Sequence, residues 1–562
     1  PGYYQNPAAF TYLLFVVLRV LYGPLGFLFD LDWGNVTDQF TKDPGEIWVV
    51  ARTVAAVLGV AGAGAAYWAA RRIWGVREAL VAAAIVAFAF LPVAYSRIAV
   101  TDVGALIGVG LSLMWSVRAY EDGRLRDFAL GGAAAGLALS FKYTAGLALL
   151  PLGIAALARL RADGPRPLLG LGAGVGLAAV VFVVLNPYLL GSFDEFWTDL
   201  REQAEVAADE PKPGQQSGGV AYYLDSLTWG LGWAAALAAL AGAVLELRRD
   251  LVRGLILVAL PLALFAYLAL QSRYFGRWLL PAYPALAMLA AVALVRLADL
   301  VPPRRLARTA VLVGVTLLVL AQPLAADVRT ALVLGRDDTR EQARDFLVDR
   351  FAPALRVSIE PAVPGRWFRT NPEGRFPSWL RRCPKDDRWR LPGGDDWPRP
   401  GYAYPGPGGE RICARFLPGQ FTRPDGGVRA SAYHLVLAPE VIDDLRFYGY
   451  CHVVTFGTVR ERVAVARDPR ATAYYERLER EADVLRRFSP YDEGAEPEPF
   501  HFDHSFSYYP AAYHRPGPVT TIYRLRDCDQ AYGAPVIQIP RARELAPFAP
   551  RRYRPGTEED QL

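Results

Sequence analysis

Apolar runs separated by short polar breaks fill the first 327 residues and then stop. Ten such runs, built mainly from Ala, Val, Leu, Ile, Phe and Gly, lie at about 53–73, 78–95, 103–119, 128–141, 145–160, 168–190, 228–246, 253–270, 279–298 and 307–326. A helix needs about 20 largely apolar residues to cross a bilayer. The pattern therefore predicts an α-helical polytopic membrane domain over 1–327, with 10–11 membrane segments. The eleventh stretch, NPAAFTYLLFVVLRVLYGPLGFLF (6–29), can span or lie along the interface, and the interfacial reading is favoured. If the run at 53–73 heads inward, residues 30–52 are external, and a first span is expected upstream of Pro1.

From about residue 328 the chain is rich in Arg, Asp, Glu, Pro and Gly, which predicts a C-terminal α/β domain over 328–562. DTREQARDFLVDRFA (338–352) reads as a helix with Asp338 at the N-cap and Glu341 three residues on, a capping-box spacing. LRVSIEP, YHLVLAP and HVVTFGTV read as short buried strands, ATAYYERLEREADVLRRF as an amphipathic helix, and VTTIYRLR as a final strand. A Pro/Gly-rich insertion at about 362–430 carries Trp367, Trp379, Trp389 and Trp397. It reads as irregular, pinned by Cys383 and Cys413, with its indoles in packing or, as the alternative, against the faces of an acceptor or sugar. FHFDHSF groups His501, Asp503 and His504, but alternation along a strand would send His504 to the opposite face from the other two. No metal site is assigned there.

Charge then orients the membrane domain. Fifteen Arg residues fall in five alternate breaks, around 71–77, 118–126, 159–166, 248–253 and 304–308. The turns between spans on the other side hold six basic residues: Arg97, Lys142, Arg201, Lys212, Arg273 and Arg277. By the positive-inside rule the first set is cytoplasmic and the C-terminal half lies outside. The cysteines agree, because Cys383, Cys413, Cys451 and Cys528 all fall in that half, where disulfides persist. Four cysteines permit three pairings, and their spacing matches no zinc pattern. The net charge of +5 is spread over loops and a mixed-charge tail, not gathered on one face, which argues against nucleic acid as a partner.

The external span ends carry more chemistry than short turns need. SRIAVTD supplies Arg97 and Asp102, SFKYTAG supplies Lys142 and Tyr143, and QSRYFGRWLLPAYP supplies Arg273, Tyr274 and Arg277. LNPYLL places Asn186 at the mouth of a longer loop, where DEFWTDLREQAEVAADEP forms an acidic amphipathic stretch. A single Arg or Lys at a span end often snorkels to the headgroups, and Arg97 with Asp102 can be a helix-end ion pair. Several cations with one carboxylate, on the face that is otherwise poor in basic residues, suggest an anionic headgroup. Arg suits phosphate because its planar fork donates two hydrogen bonds at once.

The ordered set GYYQNPAAF, SRIAVTDVGALIGVGLSL, GGAAAGLALSFKYTAGLALLPL, LNPYLL and RYFGRWLLPAYPALAMLAA resembles the family 39 dolichyl-phosphate-mannose–protein mannosyltransferase-like enzymes of the C-type glycosyltransferase superfamily. These in turn are similar to bacterial enzymes that move aminoarabinose from undecaprenyl phosphate to lipid A. The resemblance implies transfer of a sugar from a polyprenyl-phosphate carrier to a protein, lipid or glycan acceptor on the outer face of a cell membrane. It implies that Asp102 matches the family's second conserved acid and that Lys142 and Arg277 match basic positions near the donor phosphate; the charge pattern itself adds Arg97 and Arg273 to that phosphate seat. Tyr4 and Asn6, in the segment that matches the family, and Tyr143, Asn186 and Tyr274, at the external span ends, are the expected donor and acceptor pocket. Asn6 stands where the family often has His or Lys, and the family's usual first-loop acid would fall upstream of Pro1.

The chemistry fits that expectation. Displacement at an anomeric carbon requires a base for the acceptor hydroxyl and positive charge for the departing phosphate. No cofactor is expected, and a divalent metal is left open. A transporter is the less favoured class, because no internal repeat appears and the charges sit at span ends instead of mid-bilayer. A non-catalytic envelope scaffold is the other alternative.

Overall fold

The computed structural model describes residues 4–36, 45–209, 218–302, 305–350, 356–360, 402–405, 411–416, 421–422, 428–429, 437–447, 450–499, 501 and 503–528. The chain divides into two units, with the main boundary between Arg329 and Thr330.

The first unit is a helical membrane bundle. Among its described residues lie α1 (Ala9–Leu21), α2 (Gly45–Ile73), α3 (Val76–Phe88), α4 (Phe90–Ser96), α5 (Ala105–Asp122), α6 (Leu125–Phe141) and α7 (Leu149–Asp163). They continue with α8 (Arg166–Leu185), α9 (Phe193–Asp209), α10 (Gly219–Leu227), α11 (Trp233–Arg249), α12 (Leu251–Ala269), α13 (Tyr283–Asp299) and α14 (Arg305–Leu334), whose last five residues belong to the second unit. Among the described residues eight helical stretches are long and apolar enough to cross a membrane, or nine if the pair α3–α4, bent by 56°, is one span. The apolar stretch at 128–141 lies in α6, which has only 17 residues. The 13 residues of α1 rise only about 20 Å, less than the roughly 30 Å of a hydrocarbon core.

The α5–α6 hairpin shows why these elements meet as they do. Gly123 takes the left-handed conformation (φ +66°) that ends α5 and turns the chain back. The two helices then pack so closely that a Cβ on Gly108 would sit 2.4 Å from the Ala138 backbone nitrogen. Two antiparallel helices of 18 and 17 residues therefore bring their outer ends, near 102 and 142, back to one rim. Short 3₁₀ segments of three to seven residues cluster at span ends on that rim, at Asp102–Gly104, Tyr143–Ala148, Pro187–Leu190 and Gly276–Ala282. The opposite, Arg-rich end is held by ion pairs. Arg77 donates two hydrogen bonds to Asp299, at 2.8 and 3.1 Å. Buried Glu246 accepts from Arg253 at 2.8 Å and from the Trp74 indole at 3.2 Å.

The second unit holds a mixed sheet. Its strands are β1 (Arg356–Ile359), β2 (Tyr402–Pro405), β3 (Arg411–Phe416), β6 (His452–Phe456), β7 (Ala482–Phe488) and β8 (Thr520–Leu525), with β4 (Phe421–Thr422) and β5 (Val428–Arg429) pairing separately. The order is β2-β3-β1-β6-β8-β7, parallel where β1 meets β3 and β6 and antiparallel elsewhere. Helices α15 (Thr339–Arg350), α16 (Glu440–Phe447), α17 (Gly457–Ala466) and α18 (Pro469–Glu481) accompany it. Asp338 caps α15 through the Arg340 amide at 2.8 Å. Val357, Ile359, Val453, Val454, Phe456, Tyr474, Leu478 and Ile522 form the core between sheet and helices. Cys451 and Cys528 form a disulfide, one of the three pairings the sequence permits.

Four expectations change. The helix expected over 471–488 stops at Glu481, and 482–488 form the edge strand β7. That edge pairs antiparallel with β8, whose ladder satisfies the backbone groups that a continued helix would have bonded internally. The strand expected over 452–459 ends at Phe456, where the Gly457 amide bonds the Val519 carbonyl and α17 begins. FHFDHSF is not a strand: His504–Tyr508 is a π-helical turn, and the His501 ring nitrogen Nδ1 accepts from the amides of Asp503 and His504 at 3.2 and 3.1 Å. The insertion at 362–430 is not wholly irregular, since β2 to β5 fall inside it. Trp367, Trp379, Trp389, Trp397 and Cys383, and most of the strand expected at YHLVLAP, lie outside the described residues.

Candidate functional site

The rim opposite the Arg-rich loops gathers the residues that the sequence singled out. Asp102 opens the 3₁₀ turn leading into α5, and Lys142 ends α6 in an extended conformation (φ −154°, ψ 124°). The hairpin thus places them side by side, and the Lys142 ammonium donates to Asp102 Oδ1. The pair is dry: 4% of the Asp102 side chain and 11% of the Lys142 side chain are exposed. Arg277 lies in the Gly276–Ala282 turn, which packs against the Asp102–Gly104 turn. Its guanidinium acts electrostatically on both Asp102 and Lys142 and lies 5.3 Å from the Phe275 ring centroid.

The ion pair that forms is not the helix-end pair that the sequence also allowed. Asp102 bonds Lys142, forty positions away, and not the nearby Arg97. The reason is the hairpin, which outweighs proximity along the chain. Arg97 follows α4, lies 5.9 Å from the Phe90 ring centroid and acts electrostatically on Asp327. Arg273 is half-buried, and its amide and that of Ser272 both bond the Ala207 carbonyl at 3.0 Å, tying this loop to the end of α9.

Tyr4, Tyr143 and Asn186 form a second, packed group. The Tyr143 hydroxyl donates to the Tyr4 carbonyl at 2.8 Å, and the Tyr4 amide donates to Asp199 of α9 at 2.8 Å. Asn186 accepts from the Ala8 amide at 2.7 Å and donates to the Phe182 carbonyl at 2.8 Å. Tyr4 and Tyr143 both meet the edge or face of Phe196. These residues fasten the N-terminal segment and α9 over the end of α8. Asn6 is exposed. Tyr274 is buried in an aromatic trio with Tyr222 and Tyr223, at ring separations of 5.3 and 6.0 Å.

Asp327 escaped the sequence reading. It lies in α14, one position beyond the apolar run that ends at 326, and so reads as a loop residue. The structure carries the helix on to Leu334. A carboxylate within a membrane-spanning helix is costly and by default points to function. The signal was present in LAADVRT, had the span been drawn one turn longer.

Comparison with known proteins agrees with the motif resemblance over part of the chain. Residues 44–189, which include Arg97, Asp102, Lys142, Tyr143 and Asn186, match the family model of dolichyl-phosphate-mannose-protein mannosyltransferase. No curated protein sequence matches the chain. Among solved structures, the chain is similar to ArnT from Cupriavidus metallidurans bound to undecaprenyl phosphate, at 17% identity over 64% of this chain and 73% of that one, with a TM-score of 0.44. It is also similar to the archaeal oligosaccharyltransferase AglB from Archaeoglobus fulgidus, solved with an inhibitory peptide and a dolichol-phosphate. That match has 15% identity over 62% of this chain and 50% of that one, with a TM-score of 0.38. The apo form of the Archaeoglobus fulgidus enzyme matches at 13% identity over 89% and 67%, with a TM-score of 0.43.

Proposed function

We propose that this multi-pass membrane protein is a glycosyltransferase that moves a sugar from a polyprenyl-phosphate carrier to an acceptor on the extracytoplasmic face. One observation carries the reading: a buried Asp102–Lys142 pair within the field of Arg277, at one rim of the bundle, inside or beside the stretch that matches the mannosyltransferase model. Two cations and one carboxylate leave one net positive charge, which suits a lipid phosphodiester. As the acceptor oxygen bonds the anomeric carbon, the bond from that carbon to the phosphate oxygen breaks; the polyprenyl phosphate leaves as a monoester that Lys142 and Arg277 stabilise and that takes up the acceptor proton. Asp102 holds the Lys142 ammonium in place, a positioning role.

The donor reaches the rim within the bilayer, since its polyprenyl tail is soluble there. The C-terminal unit lies outside the cytoplasm, in keeping with the Arg-rich loops on the other side and with the Cys451–Cys528 disulfide. The acceptor is a hydroxyl-bearing protein, lipid or glycan. The test incubates membranes with labelled polyprenyl-phosphate sugars and compares wild type with Asp102→Asn and Arg277→Ala. Loss of transfer in both variants is expected, and equal transfer by all three removes the assignment.

A further inference from the structure

Asp327 takes no part in the phosphate seat, yet its position is hard to explain as surface decoration. Helix α14 starts at Arg305 on the Arg-rich end, where Arg308 bonds the carbonyls of Val301 and Asp299. The 22 positions from Arg305 to Asp327 rise about 33 Å, a full hydrocarbon thickness. Asp327 is therefore at the same rim as Asp102, Lys142 and Arg277. Its neighbourhood is fixed one turn earlier, where Gln322 accepts from the Trp233 amide and donates to the Thr228 carbonyl, both at 2.9 Å. Those two residues flank or end the Thr228–Gly232 π turn, and Trp229 within it packs 6.1 Å from Phe90, the ring beneath Arg97. Asp327 and Arg97 thus come from opposite ends of one packed chain of contacts. Asp327 is half-buried, and its Oδ1 is closed off from solvent and accepts no hydrogen bond from the described residues.

We propose that Asp327 is a specificity-determining residue, whose buried carboxylate oxygen accepts a hydrogen bond from a hydroxyl of the transferred sugar beside Arg97. A sugar hydroxyl suits the two groups because it donates to a carboxylate and accepts from a guanidinium at once. A structural counter-ion to Arg97 would instead be expected to satisfy its oxygen directly, since an unmet acceptor in a dry place costs free energy. The inference rests on the glycosyltransferase reading and extends it from the phosphate to the sugar.

The test separates the two by ligand. Purified full-length protein is titrated with bare polyprenyl phosphate and with the same lipid carrying mannose, glucose or galactose. Asp327→Asn is expected to weaken a sugar-bearing lipid that wild type prefers by roughly tenfold relative to the bare lipid, the scale of one hydrogen bond to a charged group, and not to weaken the bare lipid itself. Retained bare-lipid binding also reports that the variant is folded. Should Asp327→Asn not purify, Asp327→Glu, which moves the carboxylate by one methylene, is measured in the same way. Equal weakening of both ligands, or of neither, overturns the inference, as does a wild type that prefers none of the three sugars. By contrast, failure of Arg277→Ala to weaken the bare lipid defeats the phosphate seat itself.

Discussion

Replacing Asp102 by Asn should do two opposite things to this protein. The Asp102 and Lys142 side chains are 4% and 11% exposed, so deleting one charge leaves the other with little water to stabilise it. Breaking a buried pair in this way costs about 3–5 kcal/mol, and the apo protein should melt several degrees lower. The local charge of the trio meanwhile rises from one positive charge to two. A further unit charge about 6 Å from a phosphate, at an effective dielectric constant of about 20, amounts to roughly 3 kcal/mol. Half of that, after solvent and counter-ions take their share, is about a tenfold gain in affinity. Bare polyprenyl phosphate should therefore bind Asp102→Asn more tightly than wild type and raise its melting temperature further, while sugar transfer falls because Lys142 is no longer held. Ligand titration by calorimetry and melting scans with and without lipid read both effects. An apo protein that is destabilised yet binds the phosphate no better, or more weakly, would refute the reasoning.

The remaining predictions concern separate parts of the molecule. Lys142→Met keeps the length of the side chain and removes its charge, so bare polyprenyl phosphate should bind about tenfold more weakly, as measured by the same titration. In the C-terminal unit, burial pushes the Glu360 carboxyl up to about 8, against the donated hydrogen bonds of the Phe456 amide and the Tyr475 hydroxyl and the more distant charge of Arg460. The unfolded chain ionises near pH 4.5 and the folded one near 8, so this cost to stability is absent below about 4.5, grows between, and is complete above about 8, at roughly 5 kcal/mol. Urea melts of the full chain, followed through the C-terminal unit, should lose that part of their pH slope in Glu360→Gln; an unchanged slope counts against it. Reducing Cys451–Cys528, which closes a separation of 77 residues, should destabilise that unit by about 4 kcal/mol, as judged by melts with and without reductant. Gly108→Val should prevent the α5–α6 hairpin from closing and abolish accumulation of folded protein on size-exclusion chromatography, because its Cβ would lie 2.4 Å from the Ala138 nitrogen.

Much of this architecture is written locally. A bilayer demands long apolar helices, so the runs from 53 to 326 declare themselves by composition, and the polar residues at their ends declare the rim where chemistry belongs. Asp102, Lys142 and Arg277 were legible as candidates for that reason. Their partnership was not, because the sequence places Arg97 five positions from Asp102 and Lys142 forty away. Only the antiparallel hairpin, closed at Gly123 and packed at Gly108, reverses that order. The same holds for Asp327, which reads as a loop residue until α14 is seen to continue past it. In the C-terminal unit, periodicity found the helix that begins at Pro469 but not its end at Glu481, since pairing with β8 decides that boundary. The sequence by itself determined which segments are apolar enough to leave water and which side chains are charged enough to matter. Tertiary structure decided which charges meet, because an ion pair depends on distance in space, and helix packing alone fixes that.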